Sequence, residues 1–279
     1  DCLYDYCTAR SLCRLARTCV ATRQAVENYL RHALNVNKLL ARFFGSLDGA
    51  RAFRNLQARY EFVVSGSQAL QLIDRTVYPK SDLDIYVFPL DGEAVGQWLI
   101  DQAGYEFLPL YSNEGRTFQQ AVTTLRRLLN NNEPLESDDD TIEDIYGAPA
   151  VRGVLRFAKR TADSDLSVPL TQDKARLEVQ VIVSQTAPIH SVISFHATMS
   201  MNFITWDRVY SLYPRATLEE RRALVTFGKG VGFEEAMLKY TSRGYRIETM
   251  LFEEDTAAGA FALGSRWVGD ERCWVVRLD

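Results

Sequence analysis

The sequence predicts an α/β fold of the α+β kind, a mixed sheet flanked by helices. Three observations predict it. Apolar residues recur at helical spacing through residues 11–44. Short apolar runs with twofold alternation follow between 61 and 207. Helices and strands then interleave too irregularly for a doubly wound sheet. The expected organisation is a helical N-terminal segment (1–45), a sheet-bearing core (46–210), and a C-terminal extension of helix and hairpin (211–279).

The elements follow in order. Leu12, Leu15, Ala16, Cys19, Val26, Tyr29, Leu30 and Ala33 step by three and four residues, and Gly45 ends the run. Residues 51–60 read as a short helix, 61–65 as a buried strand, 67–74 as a helix, and 82–88 as a strand. Asp91 is placed to cap the next helix. Residues 105–110 read as a strand and 117–130 as a helix. Residues 131–145 carry seven acids and no base, the pattern of an exposed loop. Residues 151–159 and 176–183 alternate like paired strands. A helix is expected at 188–196 and a strand at 201–207. Thr217 and Glu220 have capping-box spacing for a helix beginning there. Gly244 is placed as a helix stop, and a terminal hairpin is expected around Gly269-Asp270.

Composition excludes several classes. The chain has 279 residues, 47% apolar and 24% charged, so a sizeable core is expected. Net charge is -4, against a general nucleic-acid binder, although residues 1–60 hold ten Lys and Arg against four acids. There is no apolar run of transmembrane length and no signal segment, so no membrane association is expected. The first residue is Asp1 rather than Met, as in a fragment or a processed chain. Cys2, Cys7, Cys13 and Cys19 lack the close pairs of zinc sites, and Cys273 stands apart. Buried free thiols are the expectation, with a reducing compartment, cytoplasmic or nuclear.

The chemistry concentrates in "VVSGSQALQLIDRTVYPKSDLDIYVFP", residues 63–89. Side chains alternate along a strand, so Asp82 and Asp84 share one face. Two neighbouring carboxylates stay ionised only with water or a cation between them. Oxygen ligands of this kind suit a hard divalent ion, magnesium or manganese. Ser65, Gly66 and Ser67 sit where a helix begins, and free N–H groups there favour phosphate. Gly66 allows close backbone approach and Ser67 adds a hydroxyl. A metal–nucleotide fits both halves. Lys80, just before the acidic pair, is within reach of a triphosphate.

This stretch resembles the nucleotidyltransferase superfamily of the DNA polymerase beta type: an apolar residue, Gly-Ser, a short helix, then Asp-x-Asp on a strand. The fourteen residues between Ser67 and Asp82 are slightly more than is usual there. The resemblance implies a nucleotidyltransferase-like core in which the paired Asp hold metal ions and a later strand supplies a third carboxylate. It implies transfer of a nucleotide from a nucleoside triphosphate to an acceptor such as RNA, a protein hydroxyl or a small molecule. In "RLEVQVIV", Glu178 and Gln180 lie on one face and either can take the third position. Glu178 completes a catalytic, metal-binding triad with Asp82 and Asp84; Gln180 replaces a carboxylate with an amide. The wider run also resembles uncharacterised fungal proteins of this fold. Residues 9–30 resemble the later helices of an F-box, without its Leu-Pro opening. That resemblance implies a second reading: a catalytically degenerate module that recruits a protein partner, a ubiquitin-ligase adaptor, through residues 1–44.

Other features read as structural. His190 and His196 have no Cys or acid at metal spacing. "FGKGVGF" lacks the pattern of a phosphate-binding P-loop. Lys159 and Arg160 end a strand, and Asp138 to Asp140 lie in the acidic loop.

Overall fold

The computed structural model describes residues 2–78, 81–109, 116–131, 150–227 and 231–278. Lys80 and the acidic loop lie outside them. Five helices open the chain: α1 (Cys2–Asp5), α2 (Ala9–Ala16), α3 (Val20–Ala33), α4 (Val36–Phe44) and α5 (Leu47–Tyr60). Thr8, Asn35 and Ser46 cap α2, α4 and α5 by accepting from first-turn N–H groups. Gly45, at φ +77°, ends α4 in the left-handed region, where glycine carries no side-chain penalty.

Then come β1 (Val63–Ser65), α6 (Gly66–Asp74), β2 (Leu83–Val87), α7 (Gly92–Asp101), β3 (Glu106–Leu108) and α8 (Phe118–Asn131). They are followed by β4 (Val151–Lys159), β5 (Leu177–Ser184), α9 (Pro188–Ile193), β6 (Asn202–Ile204) and β7 (Arg208–Ser211). The last group is β8 (Arg222–Leu224), α10 (Val231–Ser242), β9 (Arg246–Glu248), α11 (Glu253–Ala257) and β10 (Trp274–Arg277).

Eight strands form one mixed sheet in the order β10-β7-β6-β1-β2-β5-β4-β3. Only the central β2–β5 pair is parallel; the other neighbours run antiparallel. Strands β8 and β9 make a separate parallel pair. Alternation places Ile85, Val87, Val181 and Val183 on one face, in the main core. Tyr86 and Ile182 lie on the other face with Val192 and Phe203. The main core runs without a break from Leu12, Val26 and Leu30 in the early helices to Met237 and Tyr240 in α10. Helix α2 also packs on the turn at 215–220, where Arg17 donates to the buried Glu219 at 3.2 Å across 202 residues.

Several expectations are corrected. Residues 217–227 do not form a capped helix. Arg215–Glu220 make a single wide helical turn, Arg221 stops it at φ 55°, and β8 follows. Thr217, the expected cap, is buried within that turn. Asp91 precedes α7 but makes no side-chain cap. The expected terminal hairpin is a turn closed by Asp270, which accepts from Arg266, Arg272 N and Cys273 N. Its second arm, β10, pairs with β7 instead. Of the thiols, Cys13 is buried, whereas Cys19 is exposed.

Candidate metal–nucleotide site

Strand β1 is antiparallel to β2 and β6, while β2 is parallel to β5. The C-terminal end of β1 and the N-terminal ends of β2, β5 and β6 therefore meet at one end of the sheet. Asp82, Asp84, Gly66, Ser67, Glu178 and Gln180 all gather there.

Strand β1 turns straight into α6. Gly66 takes φ +64°, and a Cβ at that position would stand 2.3 Å from Oδ2 of Asp84. The glycine serves two needs at once: a left-handed turn, and room for a carboxylate directly above it. Ser65, in the cap position, turns its hydroxyl away and donates to Asn202 O at 2.5 Å. Its side chain therefore does not cap the first-turn N–H groups of α6. Two buried glutamines hold the loop between α6 and β2. Gln68 donates to Ser81 O and Asp82 O at 2.8 and 3.0 Å, and Gln71 accepts from Tyr78 N at 2.5 Å. Gly66→Ala is expected to destabilise the fold by about 1–2 kcal/mol through the backbone alone. Urea denaturation checks this, and an unchanged midpoint would refute the strained close approach.

The carboxylates are electrostatically strained. Burial pushes the Asp84 carboxyl up to about 7, and the charge of Asp82 adds to the effect. Burial likewise raises Asp82, with the nearby Glu178 contributing, while a hydrogen bond from Gln180 opposes the rise. A cation between these groups would relieve both penalties.

The register separates the two candidates for the third position. Gln180 lies level with Asp84 across the parallel pair, and its Nε2 donates to Asp82 Oδ2 at 3.1 Å. Glu178 is two residues further out along β5 and is clamped by arginines. Arg156 Nη2 reaches it at 3.0 Å and Arg176 Nε at 2.7 Å. Its charge is thus already balanced by two guanidinium groups. Among the described residues, no group of three or more His, Cys, Asp or Glu side chains is placed to hold a metal. The donor set that remains is two carboxylates and an amide. It suits one magnesium-like ion whose other ligands are phosphate oxygens and water.

Two cations from α10 and the turn after it complete the surroundings, and the sequence alone did not single them out. Arg243 Nη1 donates to Ser67 Oγ at 3.3 Å, and its guanidinium lies 3.7 Å from the centre of the Tyr78 ring. Lys239 is near enough to draw both Asp82 and Asp84 toward the ionised form. Basic residues near a helix C-terminus have a local explanation in the helix dipole, which hides any further role. A cavity of about 750 Å³ lies elsewhere, between α2, α3 and residues 257–275. No helix among the described residues is long and apolar enough to cross a membrane. Comparison with protein-family models, curated proteins and solved structures gives no match for this chain.

Proposed function

We propose that this sheet end binds a nucleoside triphosphate with one divalent cation, in a nucleotidyltransferase-like arrangement whose third carboxylate is replaced by Gln180. Asp82 and Asp84 would hold magnesium or manganese. The open first turn of α6, Ser67, Arg243 and Lys239 would take the phosphates. The observation that carries this reading is the register of β5, with Gln180 level with Asp84 and bonded to Asp82 while Glu178 is neutralised by Arg156 and Arg176. A neutral amide supplies none of the charge that a second cation needs, so binding is favoured over rapid turnover.

Gln180→Asp tests this directly. It adds a third carboxylate beside two already raised ones, so the metal-free protein is expected to lose about 1 kcal/mol. Affinity for manganese, read by calorimetry, is expected to rise at least tenfold. A variant that binds manganese no better than wild type would remove Gln180 from the site.

Nucleotidyl transfer to an acceptor hydroxyl is the second reading. It is favoured by the convergence of Lys239 and Arg243 on the same end, since cations of this kind steady a leaving pyrophosphate. Its measure is consumption of nucleoside triphosphate by wild type and by Gln180→Asp, with release of pyrophosphate.

A further inference from the structure

We infer that His196, Phe227 and Phe233 form the seat for the nucleobase of the nucleotide proposed above; the inference rests on that reading. The His196 imidazole packs steeply inclined to two phenyl rings. The ring centres are 6.1 Å from Phe227 at 71° and 5.9 Å from Phe233 at 87°. All three side chains are partly exposed.

Topology puts this cluster beside the carboxylates. His196 lies two residues before the short turn Thr198–Ser200, which packs against α6 and leads into β6. The neighbouring backbone is tied down: Ala197 bridges Val225, and Thr226 N donates to His196 O at 2.9 Å. Phe233 rides on α10, the helix that carries Lys239. Lys239 acts electrostatically on Asp82, Asp84 and His196 alike. Helix α10 thus carries Phe233 of the aromatic cluster, and the turn after it brings Arg243 to Ser67 at the phosphate end.

The chemistry of the rings fits a base. Stacking on phenyl faces tolerates any base, because each has a π-face. Burial, with Lys239 adding to it, holds His196 below its usual range, so the imidazole is neutral near pH 7. It then offers one ring N–H donor and one nitrogen acceptor to a base edge. Phe233 also packs against the main core, whereas Phe227 is not among the described residues that pack there. Removing Phe227 therefore separates recognition from stability.

The test is calorimetric binding of magnesium–ATP and of magnesium–tripolyphosphate, which lacks sugar and base, to the full chain. Wild type is expected to bind magnesium–ATP at least tenfold more tightly than magnesium–tripolyphosphate. Phe227→Ala is expected to weaken ATP binding about tenfold, in line with the worth of a single base stack, and to leave tripolyphosphate unchanged. Phe233→Leu keeps apolar volume and should show the same selective loss. Equal affinities of wild type for the two probes would overturn the base seat while leaving the phosphate site standing. So would a Phe227→Ala variant that keeps full ATP affinity or loses both probes equally. Binding of neither probe by wild type would overturn the nucleotide site and the base seat together.

Discussion

In the presence of a chelator at pH 8, Asp84→Asn is expected to melt higher than wild type. With magnesium and ATP at 100 times the dissociation constant, much of that gap is expected to close. The reason is the sign of the Asp84 shift. Its folded carboxyl is raised from 3.8 to about 7, chiefly by desolvation and then by the charge of Asp82. Between those values the folded chain holds a proton that the unfolded chain has released. Stability therefore falls as pH rises through that window, and the full cost is felt above about 7. The shift corresponds to at most about 4 kcal/mol. Asparagine removes the charge and with it most of this cost. It also removes one of the proposed metal ligands. Wild type at 100 times the dissociation constant of its ligand gains roughly 2.7 kcal/mol, and the variant gains nothing. Thermal melts from pH 5 to 8.5, with chelator and with magnesium–ATP, decide the matter. A wild type equally stable at both ends of that range without metal would sink the electrostatic account. A variant still stabilised by magnesium–ATP would sink the ligand role.

Arg222→Ala is expected to cost about 3 kcal/mol, a large share of the stability of an ordinary domain. Arg222 is almost fully enclosed by carboxylates. It donates to both oxygens of Asp255 at 2.5 and 2.7 Å, to Glu248 at 3.1 Å and to Glu220 at 3.3 Å. Its guanidinium also lies over the Phe261 ring at 5.2 Å. Its pKa is raised further above the ordinary range, first by the Asp255 hydrogen bonds. Without it, three acids face one another with little solvent between them. Lysine cannot restore the two-pronged contact with Asp255, so Arg222→Lys should recover less than half of the loss. Urea midpoints for the three proteins give the answer; a midpoint for Arg222→Ala within 0.5 kcal/mol of wild type would mean the cluster contributes little. Because this cluster joins β8, β9 and α11, the loss should also loosen α10, and with it Lys239 and Arg243.

The site was legible in sequence wherever its geometry is local. Twofold alternation put Asp82 and Asp84 on one face, and the Gly-Ser step marked the strand-to-helix turn where Gly66 now sits under Asp84. Twofold alternation could not choose between Glu178 and Gln180, because both lie on the same face. Their depth is set by pairing with β2, 98 residues away from Gln180 in the case of Asp82. Of the arginines that neutralise Glu178, Arg156 comes from the pairing of β4 with β5, and Arg176 is two residues away in sequence. The capping-box spacing at Thr217 misled for a related reason. A cap is a local rule, but Thr217 is buried and Arg221 is drawn out of the helix to reach Asp74 and Tyr245. Strand β7 is short, with polar Arg208 and Ser211 at its ends, and only its position between β6 and β10 reveals it. The mixed α/β class was readable because it depends on element types rather than on their partners.

The tie between Arg17 and Glu219 has a consequence for how the protein is made. These partners are 202 residues apart. At about 5–20 residues per second, a ribosome needs roughly 10–40 s to deliver the second after the first. During that interval α2 has emerged, but the turn it packs against has not been synthesised. Leu12 and its apolar neighbours stay uncovered on the nascent chain. The early helices are therefore the segment on which a holding chaperone would find its longest-lived target, and slower translation beyond residue 60 would lengthen that exposure.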